Sequence, residues 1–99
     1  MERPTFIYVL RPTSPGLIDE TSPEEESRLG EHLEYLQRAL EEGKLILAGP
    51  CVDGDFGVVV FRAATEEEAE EFMLSDPAVR HGVMTAEPHP YRVSLMDTG

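Results

Sequence analysis

The sequence predicts a single α+β domain, residues 1–99, with its elements in the order β-α-β-β-α-β. Two observations predict this order. A serine or threonine is followed three residues later by a glutamate at Ser22 and at Thr65, which is the capping-box pattern that begins a helix. Apolar, β-rich runs flank both predicted helices. The order packs most simply as a four-stranded antiparallel sheet with both helices on one face, the ferredoxin-like arrangement.

The first strand and the first helix are predicted between residues 6 and 43. Residues 6–11 are apolar and β-rich and lie between two prolines, which predicts a strand. Residues 12–21 then form a loop. Ser22 and Pro23 are suited to the N-cap and N1 positions of a helix, and Gly43 is suited to the position just after its end. Four leucines at helical spacing predict one apolar stripe on this helix: Leu29, Leu33, Leu36 and Leu40.

The middle of the chain predicts a hairpin. Residues 44–52 include the continuous apolar run Leu-Ile-Leu-Ala, which indicates a strand buried on both faces. Asp53-Gly54-Asp55 is a turn sequence. Residues 56–64 contain three valines followed by a phenylalanine and predict the returning strand.

The last third begins with the second helix, which is predicted to start after Thr65 and to end near Ser75. Asp76-Pro77 is suited to cap a short helical turn that ends at Gly82. A last strand is predicted over residues 84–95, with an interruption at Pro88 or Pro90.

Composition excludes several classes of function. The formal net charge of -12 repels phosphate backbones and anionic membranes, so we expect neither a nucleic-acid partner nor a membrane partner. The single cysteine, Cys51, excludes an internal disulfide and fits the reducing cytoplasm. No apolar run is long enough to cross a membrane.

The predicted sheet has apolar side chains on both faces, whereas the helices cover only one. An apolar face of this width is seldom left to water in a monomer. We therefore expect a homodimer that forms through the second sheet face.

His32 and Asp76 are the strongest chemical lead in the chain. His32 lies at the edge of the leucine stripe, and an imidazole that a carboxylate holds is a general base suited to neutral pH. The alternative for His32 is a histidine at the rim of the core that bonds a backbone carbonyl. The alternative for Asp76 is an ordinary N-cap, although a capping carboxylate keeps a second oxygen free to hold an imidazole.

Several strings of residues resemble the YCII-related domain (YciI-like) family of the dimeric α/β-barrel superfamily. They are Arg28 with His32-Leu33-Glu34-Tyr35-Leu36, then Gly43-Lys44-Leu45-Ile46-Leu47-Ala48-Gly49-Pro50, and finally Asp76-Pro77-Ala78-Val79 with Gly82. The resemblance covers residues 6–93 and implies a small dimeric enzyme with a His and Asp pair in a cleft. In this chain that pair is His32 and Asp76. The resemblance extends to relatives that handle chlorinated or hydroxylated aromatic compounds and to muconolactone isomerases.

We therefore expect proton transfer on a small hydroxylated aromatic or lactone, of isomerase or lyase type and without a cofactor, with His32 as base and Asp76 as its orienting group. Gly49 and Pro50 would leave room for the ligand, and the Gly49 N–H would face a developing oxyanion. Arg28 is a candidate for binding a substrate carboxylate, or else a surface partner of Glu24 or Glu31. Tyr8 either lines the cleft or belongs to the core.

Other functions stay open at this point. A small-molecule-binding or regulatory dimer would sense a metabolite without turning it over, and a monooxygenase would act on an oxygen-reactive substrate or haem. Histidine and carboxylate ligands suit non-haem iron, but no HxH or HExxH spacing is present, and we predict no metal. His81 and His89 are expected on the surface, and Cys51 in packing.

Overall fold

The computed structural model describes residues 4–13 and 22–97. Its elements are β1 (Thr5–Pro12), α1 (Pro23–Glu41), β2 (Leu45–Pro50), β3 (Gly57–Arg62), α2 (Glu66–Leu74), α3 (Pro77–Arg80), β4 (Met84–Thr85) and β5 (Pro88–Tyr91). Residues 14–21 of the predicted loop 12–21 lie outside the described residues. Within the described ranges, no helix has both the length and the apolar character that crossing a membrane requires.

The strands form an antiparallel sheet in the order β2-β3-β1-β4, and β5 also pairs with β1. β4 and β5 meet β1 in one shared register, Arg11 opposite Thr85 and Tyr8 opposite Pro88, so together they occupy a single strand position. The sheet therefore has the four strand positions of the predicted ferredoxin-like fold. The last strand is interrupted at residues 86–87, not at Pro88 or Pro90, and it ends at Tyr91.

The helices begin and end where their local signals predict. Ser22 accepts a hydrogen bond from the Glu25 N–H, and the Glu25 carboxylate accepts one from the Ser22 N–H, which completes the capping box. α1 ends just before Gly43, whose φ of 79° is in the left-handed region that favours glycine. Thr65 caps α2, although the Glu68 carboxylate accepts from the Ala64 N–H and not from the cap residue itself.

The core lies between the sheet and the helices. Alternate residues of β1 point toward the helices and join one cluster of buried side chains. At its centre the Phe61 ring stacks on Phe72 at 4.6 Å between centroids and meets the edge of Tyr8 at 5.6 Å. These rings fix the position of the Tyr8 side chain on β1.

The prediction that β2 is buried on both faces is wrong. Only Leu45 is buried, and residues 47–50 are exposed, because β2 is the edge strand of the sheet. β3 is an inner strand and buries Val59, Val60 and Phe61. A continuous apolar run therefore predicted burial correctly for the inner strand and wrongly for the edge.

The leucine stripe of α1 does not face the core as predicted. Leu33 is 67% exposed and Leu40 is 49% exposed, whereas Leu36 and Ala39 are buried. At roughly 100° per residue, the buried direction of the helix is rotated by about 60° from the stripe. The side of α1 that faces the core is the side that carries His32.

The Ser22 cap generates a stability prediction. Ser22→Ala removes the acceptor for the Glu25 N–H and should lower the free energy of unfolding by about 1 kcal/mol, measured by urea denaturation. The matched control is Ser27→Ala, at an exposed position of the same helix. Equal stability of the two variants would show that the cap does not stabilise α1.

Candidate functional site

Asp76 is the N-cap of α3. Its Oδ1 accepts a hydrogen bond from the Ala78 N–H at 3.0 Å, and Pro77 occupies the first helical turn, where the missing N–H costs nothing. The Asp76 side chain is fully buried. A buried carboxylate is stable only when several donors satisfy it, and one capping bond is too few.

Two further donors reach Asp76 from other elements. The Tyr8 hydroxyl, on β1, donates to Oδ2 at 2.8 Å. Nδ1 of His32, on α1, lies 2.7 Å from Oδ1. The carboxylate thus joins a strand, a long helix and the start of a short helix, and the predicted proximity of His32 and Asp76 is confirmed.

The geometry determines which ring nitrogen of His32 carries the proton. Both oxygens of Asp76 already accept hydrogen bonds, so the carboxylate is the acceptor and Nδ1–H is the donor. In a neutral imidazole the other nitrogen, Nε2, then carries the free lone pair. Because Nδ1 is turned inward to Asp76, Nε2 is on the outer edge of the ring.

Tyr8 keeps its proton in this environment. Burial, followed by the neighbouring Asp76 carboxylate, raises the pKa of Tyr8 far above its ordinary value. The hydroxyl is therefore a permanent donor to Asp76. Its donation holds Oδ2 in place and leaves Oδ1 directed at His32.

His32 lines an open groove of about 1060 Å³ between α1 and the β2–β3 hairpin. Its side chain is 12% exposed, so the ring is mostly covered but reaches the groove wall. The wall is mainly apolar, and it includes six leucines of α1 and β2: Leu29, Leu33, Leu36, Leu40, Leu45 and Leu47. The groove is large enough for a small ring compound.

Gly49 and Pro50 lie on the strand side of the same groove. A Cβ placed on Gly49 would meet no atom within 4 Å, so the space beside this residue is open. The structure therefore brings His32, Gly49 and Pro50 to one cavity, with Asp76 directly behind the imidazole.

The model of the YCII-related domain family matches residues 6–88. The chain belongs to this family. No curated protein matches the sequence of this YCII-related domain.

Two solved structures share the fold. A muconolactone isomerase is 15% identical, with a TM-score of 0.70, and the alignment covers 96% of this chain and 97% of the other. The 5-chloro-2-hydroxyhydroquinone dehydrochlorinase of Burkholderia phenoliruptrix, in complex with 2,5-dihydroxybenzoquinone, is 18% identical with a TM-score of 0.66, and covers 88% of this chain and 93% of its own. The YCII-related domain thus shares the ferredoxin-like fold of these two proteins.

The structure places two of the predicted binding residues away from the groove. Arg28 pairs with Glu31 at 3.0 Å, the surface alternative considered for it, and does not line the cavity. Tyr8 is fully buried and bonded to Asp76, so the core alternative holds and it does not contact a ligand in the groove. Arg28 is held by the adjacent Glu31 carboxylate, and strand alternation turns Tyr8 to the core side of β1.

The hydrogen bond by which Tyr8 holds Asp76 was not predicted from the sequence. A signal was present, because strand alternation places Tyr8 with Phe6 and Leu10 on the core face, and a buried tyrosine hydroxyl needs an acceptor. What the sequence lacked was the identity of that acceptor, which is distant along the chain.

The remaining candidates lie outside the pair. His81 and His89 are exposed, as predicted, and neither lines the groove. Cys51 is half-buried on the groove wall. Among the residues that the structure describes, no three His, Cys, Asp or Glu side chains are grouped so that they could hold a metal ion.

Tyr8→Phe tests the hydrogen bond behind the pair. The substitution keeps the ring but leaves Oδ2 of Asp76 without its donor, which should lower the free energy of unfolding by about 1–3 kcal/mol in urea denaturation. The imidazole ¹⁵N shifts of His32 should also move, because the carboxylate that orients the ring loses one of its three bonds.

The matched control for this experiment is Tyr91→Phe, at an exposed position on β5. It removes the same atom and should change neither the stability nor the His32 signals. Identical behaviour of the two variants would contradict a positioning effect of Tyr8.

Proposed function

We propose that this YCII-related domain is an enzyme that transfers a proton within a small hydroxylated aromatic or lactone compound, with His32 as general base. One observation carries the proposal: an imidazole held at 2.7 Å by a buried carboxylate lies in the wall of an open apolar groove. A histidine that serves only the stability of the fold would be expected in a closed position, with both ring nitrogens hydrogen-bonded.

The proposed reaction begins when Nε2 of His32 accepts a proton from an O–H or C–H group of the substrate. The electron pair of that bond stays on the substrate, and the imidazolium that forms is stabilised by Asp76. Return of the proton at another carbon gives an isomerase outcome, and loss of an anionic leaving group gives a lyase outcome. The Gly49 N–H is not proposed as the oxyanion donor, because Gly49 lies opposite Val58 in register with Cys51, whose N–H donates to the Phe56 carbonyl, so the Gly49 N–H points toward β3.

The names of the structural neighbours support the choice of substrate class. One is a dehydrochlorinase bound to 2,5-dihydroxybenzoquinone and the other is a muconolactone isomerase. Both names describe rearrangement or elimination on a small oxygenated ring. The apolar walls of the present groove suit the ring, and its one imidazole suits the single proton that such reactions move.

His32→Gln tests the proposal directly. The variant loses the base and should lower proton transfer to substrate by about 10²- to 10⁴-fold. Transfer is measured as solvent deuterium incorporated into the substrate, together with product formation, over a panel of hydroxylated aromatics, their chlorinated forms and unsaturated lactones.

The chain provides its own matched control, because His81→Gln makes the same change at an exposed position outside the groove. This variant should retain the wild-type rate. If His32→Gln also retains it, the proposed base is wrong. Saturable binding by the wild type without any exchange or turnover would favour a metabolite-binding module over an enzyme.

We also propose that the protein is a homodimer that forms through the sheet face opposite the helices. Strand alternation places Ile7 and Val9 of β1 on that face, where they are only half-buried, and Val60 opposite Ile7. These apolar side chains are not part of the cluster that the helices cover. A second copy would remove the half-buried Ile7 and Val9 from water.

Val9→Lys tests this interface. A lysine in the middle of the proposed contact should shift the mass measured by light scattering from dimer to monomer, while the circular dichroism spectrum stays native. Leu95→Lys is the control, because Leu95 is 94% exposed and lies beyond β5. A monomeric wild type, or a dimer that is insensitive to Val9→Lys, would contradict the proposed face.

A further inference from the structure

None of the Lys and Arg side chains that the structure describes lines the groove beside His32. The described ranges hold every Lys and Arg of the chain except Arg3. Residues 14–21, outside those ranges, contain no Lys or Arg in their sequence. No Lys or Arg along the described groove wall would therefore form an ion pair with a carboxylate that entered the groove.

Arg11, Arg28, Arg38 and Lys44 are each next in sequence to a groove residue, and the first two have partners outside the groove. The Arg28 guanidinium lies 3.0 Å from the Glu31 carboxylate. The Arg11 guanidinium lies over the Phe56 ring at 5.2 Å from its centroid, and only the ring lines the groove. Nε of Arg28 is buried without a hydrogen-bond partner among the described residues, yet neither Arg28 nor Arg11 lines the groove beside His32.

The carboxylates that line the described groove wall or lie directly behind it add negative charge. Asp76 is the buried partner of the His32 imidazole, and Asp53 lines the wall. The chain as a whole has a formal charge of -12. An anion moving into this mainly apolar space would lose its water, gain no counter-ion and be repelled by the surrounding field.

We infer that the substrate of this site is uncharged when it binds, a neutral hydroxylated ring or a neutral carbonyl compound, and that carboxylate-bearing analogues are excluded. This inference rests on the proposed function and narrows it. Negative charge arises on the substrate only when its O–H or C–H bond breaks and the proton moves to Nε2 of His32. The same step creates the imidazolium that serves as counter-ion, so the charge never lies unpaired in the groove.

A matched pair of ligands tests the inference. Catechol and 3,4-dihydroxybenzoate share one ring and two hydroxyls, and at neutral pH only the second carries a carboxylate. Titration of ¹⁵N-labelled protein, followed by NMR, should show catechol shifting the groove residues, with 3,4-dihydroxybenzoate binding at least about tenfold more weakly.

A gain of cationic charge provides the complementary experiment. Gln37 is an exposed residue of α1 on the groove wall, so Gln37→Arg adds a cation there without disturbing the core. In this variant the affinity for 3,4-dihydroxybenzoate relative to that for catechol should rise at least about tenfold over the wild-type ratio. Gln37→Met, a neutral side chain of similar length, should leave that ratio unchanged.

The outcomes separate this inference from the proposed function. Equal affinity of the wild type for the two ligands would overturn the charge selection and leave His32 as a base untouched. Selective catechol binding together with wild-type proton transfer in His32→Gln would overturn the proposed base alone. Failure of both ligands to bind in the groove would contradict the inference as well as the proposed ring substrate.

Discussion

A fully buried carboxylate, that of Asp76, accepts hydrogen bonds from β1, from α1 and from the first turn of α3. Burying an ionised group is costly unless donors replace the water that it loses. Each of the three elements supplies one of those donors, so none of them can shift without leaving the charge short of a partner. The packing of the helices on the sheet therefore depends on this one side chain.

The same requirement explains the orientation of α1. Hydrophobicity alone would turn the leucine stripe toward the sheet, yet the helix buries Leu36 and Ala39 and leaves Leu33 and Leu40 exposed. In this orientation Nδ1 of His32 reaches Asp76. The leucines that are turned away from the core become the wall of the groove. One hydrogen bond thus accounts both for the position of the base and for the apolar surface next to it.

Sequence signals predicted those features that depend on neighbours in the chain. The caps of α1 and α2, the turn at Gly54 and the short α3 all rest on contacts within a few residues, and each is present. Burial was predicted less well, because the apolar run of β2 does not reveal that this strand is at the edge of the sheet. A run of apolar residues shows that a strand can be buried, but it does not show which elements pack against that strand.

In the candidate site, too, the contacts that sequence signals did not predict are those between residues distant in the chain. Its central pair was proposed from the residue types and favoured over the alternatives through a family resemblance, since 44 positions separate His32 from Asp76 and no local pattern connects them. Tyr8 was noted, but its acceptor was not, because that contact spans 68 positions. The lack of cations in the groove became apparent only when the fold placed Arg28 beside Glu31. Long-range pairings of this kind are set by the tertiary structure.

Because Asp76 serves stability and chemistry together, its replacement cannot separate the two. Removing the carboxylate would leave the Tyr8 hydroxyl, the Ala78 N–H and the His32 Nδ1–H without their shared acceptor, all in or near the core. A loss of activity in such a variant would follow equally from a missing orienting group and from a displaced α1. His32 differs, since it contributes one donor at the groove wall and leaves the other two bonds of Asp76 in place. The chemistry of this site is therefore best isolated at the imidazole, and the carboxylate behind it is best understood as the group that makes one orientation of that imidazole the stable one.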